Sequence, residues 1–96
     1  MKGLIIHFEV TAGMEAEFER AMGVHVHNVR TRDPSYSLYS LARVRDEDRR
    51  YVLVQQFESY ESQERHQTYD YVLEAMTPIN ACLAAIPTIE WLDLID

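Results

Sequence analysis

Tyr36-SLYSLARVRDEDRRYVLVQQF-Glu58 carries the plainest structural signal in the sequence. It holds two strand-like runs, "YSLYSLARV" (36–44) and "RYVLVQQFE" (50–58), rich in β-branched and aromatic residues. The charged tip "RDEDR" (45–49) between them marks a hairpin turn. Upstream, "LIIHFEV" (4–10) alternates as a strand, with Leu4, Ile6, Phe8 and Val10 on one face and Ile5, His7 and Glu9 on the other. From Met14 to Arg30 the period changes to that of a helix, with Met14, Phe18, Met22, His25 and Val29 on one stripe. Pro34 ends it, because the residue before a proline avoids helical geometry. Downstream of the hairpin, Ser59 caps a helix running to Met76. Thr77-Pro78 then opens a short second helix, "PINACLAAI", and "TIEWLDLI" (88–95) closes the chain as a strand.

The order β-α-β-β-α-(α)-β predicts an α+β, ferredoxin-like fold over residues 1–96, a four-stranded antiparallel sheet with helices on one face. The other sheet face keeps Ile5, Val52, Val54, Leu92 and Leu94. That much apolar surface calls for a cover, and a homodimer with sheets face to face supplies one.

A length of 96 residues suits one domain. The formal net charge of −7 repels polyanions, so nucleic acid and anionic membrane are poor partners. The one cysteine, Cys82 in "INACLAAI", reads as a small buried hydrophobe. No signal-peptide pattern and no long apolar run is present, so a cytoplasmic protein is expected. There is no metal motif, phosphate loop, dinucleotide fingerprint or Ser-His-Asp order. What remains is small-molecule binding, or proton and oxygen chemistry without a cofactor.

Helical spacing places Ser62, His66, Tyr69, Leu73 and Met76 on one stripe, facing the sheet. Strand parity puts Leu53, Gln55 and Phe57 beneath them. With His25 on the first helix, these residues outline a pocket lined by His25, Gln55, Phe57, His66 and Tyr69. A single histidine on an apolar face is more often a hydrogen-bonded core residue, but two on separate helices with a glutamine between them raise the case for a site. His27 lies on the polar side of the helix, and its "HVH" spacing with His25 is a weak metal signal there, since residues two apart diverge.

The chain resembles the antibiotic biosynthesis monooxygenase family of dimeric α+β barrel proteins. The likeness runs along nearly all of the chain and is clearest in "DPSYSLYSLARVRDEDRRYVLVQQFESYESQERHQTYDY" (33–71). Asp33-Pro34-Ser35 stands where the family has an acidic-Pro-Gly turn, and Phe57-Glu58-Ser59 replaces its Trp-Glu-Ser. His66 keeps the family spacing of nine residues after that position. A second family histidine, five residues later, is Tyr71 here, and a first-helix histidine falls on His25 or His27. The haem-degrading branch would have Trp at His66 and His at Met76, so haem is discounted.

The resemblance implies a cofactor-independent monooxygenase of a quinol or aromatic polyketide-like small molecule, using O2. His66 is the expected base, with His25 second. Gln55 and Tyr69 are candidate donors, Phe57 a stacking wall and His27 a further substrate-binding candidate. The alternatives are an isomerase of a small metabolite using the same histidine, or a non-catalytic small-molecule-binding accessory protein.

Overall fold

The computed structural model describes residues 1–95. Four strands, β1 (Lys2–Glu9), β2 (Tyr36–Arg43), β3 (Arg50–Phe57) and β4 (Thr88–Asp93), form an antiparallel sheet in the order β2-β3-β1-β4. Three helices, α1 (Glu15–Arg32), α2 (Tyr60–His66) and α3 (Asp70–Asn80), complete the α+β, ferredoxin-like arrangement. The hairpin closes at the charged tip, where Asp46 takes a positive φ of 65°.

Parity sorts the sheet as the alternation predicts. On β3, Tyr51, Leu53, Gln55 and Phe57 are buried beneath the helices, while Val52 and Val54 point to the other face. Ile5 pairs with Val54 and Gly3 with Leu92, so Ile5, Val52, Val54 and Leu92 share that second face, each partly exposed. Cys82 is fully buried against the same core as Val10 and Phe18.

α1 carries Glu15 and Glu17 in its first turn and Arg30 and Arg32 in its last, matching the helix dipole. It buries Phe18, Met22, His25, Val26 and Val29. Ser59 caps α2 in a reciprocal capping box with Ser62.

The second helical segment departs from expectation. The break falls at Gln67–Tyr69, not at Thr77-Pro78. The N–H groups of Thr68 and Tyr69 bond three residues back, to the carbonyls of Arg65 and His66, and the Thr68 hydroxyl donates to the Arg65 carbonyl. These local bonds compete with helix continuation. Tyr69 then takes extended geometry (ψ 138°) as the N-cap of α3. The break resets the helical phase, so α3 turns Val72, Ala75, Met76 and Ile79 inward and leaves Leu73 exposed. Pro78 lies inside α3 on its exposed side, where water can satisfy the carbonyl it frees. The expected "PINACLAAI" helix is instead the end of α3 followed by a turn, in which Leu83 bridges Val10.

Candidate active site

The interior contains a polar cluster where α1, α2 and β2 meet. His25, at the centre of the buried stripe of α1, is 2% exposed. Its Nε2 lies 2.9 Å from the Tyr39 hydroxyl on β2. Arg30 fixes that strand by donating from Nε to the Tyr39 carbonyl at 2.9 Å and from its terminal nitrogen to Ser40 Oγ at 2.9 Å.

His66, the last residue of α2, is 4% exposed, and its Nδ1 lies 2.9 Å from Asp33 Oδ2. Asp33 is the C-cap of α1, its N–H donating to the Val29 carbonyl. Its second oxygen, Oδ1, accepts from the Ser35 N–H at 3.1 Å and the Ser35 hydroxyl at 2.5 Å. The Asp-Pro-Ser turn therefore aims one carboxylate oxygen at Ser35 and the other at His66.

Aromatic rings surround this pair. The His66 ring centroid is 4.6 Å from Tyr36, 6.0 Å from Tyr39, 6.3 Å from Tyr71 and 6.4 Å from His25. Three buried polar atoms in the cluster have no hydrogen-bond partner: His25 Nδ1, Tyr36 OH and Tyr71 OH.

Beside the cluster lies a largely apolar cavity of about 270 Å³ between sheet and helices. Met22, Leu53, Met76 and Ile89 line it, and His25 and Tyr39 bring polar groups to its wall. Burial, aided by neighbouring His66, lowers the His25 pKa to about 4. Burial also holds His66 below its ordinary value, against the pull of Asp33. For Asp33, burial alone would raise the pKa, but the bonds from Ser35 and His66 outweigh it and keep the carboxyl below its usual value. Burial raises Tyr36 and Tyr39. Near neutral pH the cluster therefore holds two neutral imidazoles, one carboxylate and protonated phenols, a set able to accept a proton and donate hydrogen bonds.

Of the residues picked from sequence, His25 reaches the cavity wall. His66 is buried behind it. Gln55 and Phe57 lie beneath the helices but outside the cavity lining, with the Phe57 ring 5.5 Å from Tyr36. Tyr69 is only partly buried and stacks on Tyr71 at 5.9 Å. His27 is exposed on the opposite side of α1. Sequence reasoning missed Asp33, Tyr36, Tyr39 and Tyr71. Strand parity could have placed Tyr39, since it pairs with Gln55 across the hairpin. Among the described residues, no group of three or more His, Cys, Asp or Glu side chains is placed to hold a metal ion.

The family model for antibiotic biosynthesis monooxygenases matches residues 1–78. The chain belongs to the antibiotic biosynthesis monooxygenase family. A Caulobacter crescentus CB15 protein assigned to the same family superposes with a TM-score of 0.94 at 25% identity, over 99% of this chain and 90% of the other. A family protein from Nitrosomonas europaea matches with a TM-score of 0.91 at 14% identity, covering 100% of both chains. A mutant of SnoaB, a cofactor-independent oxygenase from Streptomyces nogalater, matches with a TM-score of 0.85 at 21% identity, over 99% of this chain and 93% of SnoaB. No curated protein matches the chain. Among the described residues, no helix is long and apolar enough to cross a membrane.

Proposed function

We propose that the protein is a cofactor-independent monooxygenase of a small quinol, with His25 as the group that first receives the substrate proton. One observation carries this: an imidazole, hydrogen-bonded to a phenol, on the wall of an apolar cavity; its lowered pKa keeps it neutral and free to accept a proton, at a cost in basicity. Family membership and the likeness to SnoaB point the same way. Deprotonation makes a quinol electron-rich enough to react with O2 directly. One oxygen atom enters the ring and the other leaves as water, with the substrate supplying all four electrons. The protein then has to exclude water, accept a proton and stabilise the developing oxyanion. Tyr39 is placed to donate to that oxyanion. His66, the first candidate from sequence, stands behind His25.

The cavity size bears on the substrate. A cavity of about 150 Å³ takes benzene, and drug-sized ligands occupy about 300–1,000 Å³. At about 270 Å³ this one suits one or two fused rings better than a larger aromatic polyketide.

Oxygen uptake with 1,4-naphthohydroquinone tests the proposal. Turnover should exceed autoxidation and fall about 100-fold or more in His25→Gln, with the melting temperature little changed. Uptake no faster than autoxidation would overturn the oxygenase assignment, and an isomerase or a binding module would then fit the cavity better. A homodimer joined through the Ile5, Val52, Val54 and Leu92 face belongs to the same proposal. Light scattering that finds a monomer at micromolar concentration would remove it.

A further inference from the structure

We infer that Asp33, anchored by Ser35, is a positioning residue that locks His66 into one tautomer and so leaves a bare Nε2 on a ring set among the aromatic side chains behind the cavity. An ionised carboxylate only accepts hydrogen bonds. With Asp33 Oδ2 2.9 Å from His66 Nδ1, that nitrogen must carry a proton, and in the neutral ring Nε2 is left as an acceptor. The carboxylate cannot rotate freely to serve other donors, because Oδ1 is committed to the Ser35 N–H and hydroxyl. Pro34 between them limits the turn further. Asp33 is itself 5% exposed, so water competes little for its oxygens.

The pair sits in contact with rings that lead to the cavity: His66 lies 6.4 Å, centroid to centroid, from His25, whose Nε2 bonds Tyr39. A fixed acceptor on His66, whose ring neighbours that of His25, gives the cluster a second proton-accepting nitrogen. Its catalytic meaning rests on the quinol monooxygenase assignment; its geometry does not.

Asp33→Asn is a sharp test because an amide has one acceptor oxygen where the carboxylate has two. The Ser35 N–H can only donate, so the amide oxygen should stay on Ser35 and the NH2 group should turn to His66. Nδ1 must then accept, and the imidazole should switch to the Nε2–H tautomer. Imidazole 15N shifts of the whole protein at pH 7.5 read this without any substrate. The expected result is Nδ1–H in the parent and Nε2–H in Asp33→Asn. Ser35→Ala keeps both carboxylate oxygens and should keep the Nδ1–H form, which guards against a general unfolding effect. The same tautomer in the parent and in folded Asp33→Asn would overturn the inference, as would an Nε2–H parent. In oxygen uptake, kcat should fall about tenfold or more in Asp33→Asn with KM changed less than about twofold; a kcat that merely follows the folded fraction would overturn the catalytic part. Should the parent fail to oxidise any quinol, the functional assignment falls, while the nitrogen shifts still decide whether Asp33 sets the tautomer.

Discussion

The two ends of the space under the helices are built on different rules. At one end, Phe8 and Phe18 meet edge-on at 5.3 Å, and Phe18 packs on Tyr51 at 4.8 Å. Polar groups there are paired: Tyr51 OH donates to Glu19 at 2.6 Å, and Cys82 Sγ donates to the Pro78 carbonyl. At the other end, Asp33, His66, His25 and Tyr39 form short chains of hydrogen bonds, yet His25 Nδ1, Tyr36 OH and Tyr71 OH stay unpartnered. An unpaired buried polar group costs about 1–3 kcal/mol. Such unpaired groups are uncommon in native proteins, and a role in function is one reason they persist. Under the proposed function, the contrast separates a region that holds the fold from one that carries the chemistry, and mutations at the two ends should separate stability from turnover.

The largest effect belongs to the packed end. Phe18 is fully buried between Phe8 and Tyr51. Phe18→Ala should cost about 3–5 kcal/mol, because it removes buried apolar surface and leaves a cavity. Turnover per folded molecule should be close to that of the parent. Urea unfolding together with oxygen uptake measures both. A variant of parental stability that has lost its turnover would erase the distinction between the two ends.

Acid should attack the histidine end next. The folded pKa of His25 is about 4 against about 6.5 when unfolded. Above pH 6.5 the group is neutral in both states and contributes no pH dependence. As pH falls from 6.5 towards 4, the unfolded chain takes up the proton first, and stability is lost, by up to about 3 kcal/mol. His66, lowered in the same direction, adds to the loss. Asp33 acts further down: its folded pKa is depressed, so its contribution is present above the unfolded carboxyl value and disappears as pH falls through the folded one. Unfolding free energies at pH 7.5 and pH 4.5 should therefore differ less in His25→Gln than in the parent. Equal slopes would mean that His25 is not held neutral by its surroundings.

This division was only half legible in the sequence. Alternation and the charged tip placed the hairpin strands to within a residue, because strand parity and turn chemistry are local properties. The stripe of α1 correctly turned His25 inward and His27 outward. The break between α2 and α3 was hidden, since no glycine or proline marks Gln67–Tyr69 and ordinary residues make it with local hydrogen bonds. Continuing one helical phase through it put Leu73 on the wrong side. Asp33 was visible as a turn residue, but its pairing with His66 spans 33 positions and leaves no local trace. Pairings of that kind come from topology, here the return of α2 over the β2 end of the sheet, and not from any spacing along the chain.

The smallest effect has the opposite sign. Tyr36 packs its ring 4.6 Å from His66 and 5.5 Å from Phe57, but its hydroxyl is buried with no partner. Tyr36→Phe keeps the ring and removes the unpaired group, so it should stabilise the fold by about 1 kcal/mol. The same hydroxyl is one of the few donors beside the two histidines, so turnover should fall even as the melting temperature rises. That pairing of gains and losses is the mark of a group retained for function at a cost to stability. Thermal unfolding and oxygen uptake on one preparation decide it. A Tyr36→Phe protein that is both less stable and equally active would show that the hydroxyl is satisfied in solution, and the histidine end would then be an ordinary hydrogen-bonded core.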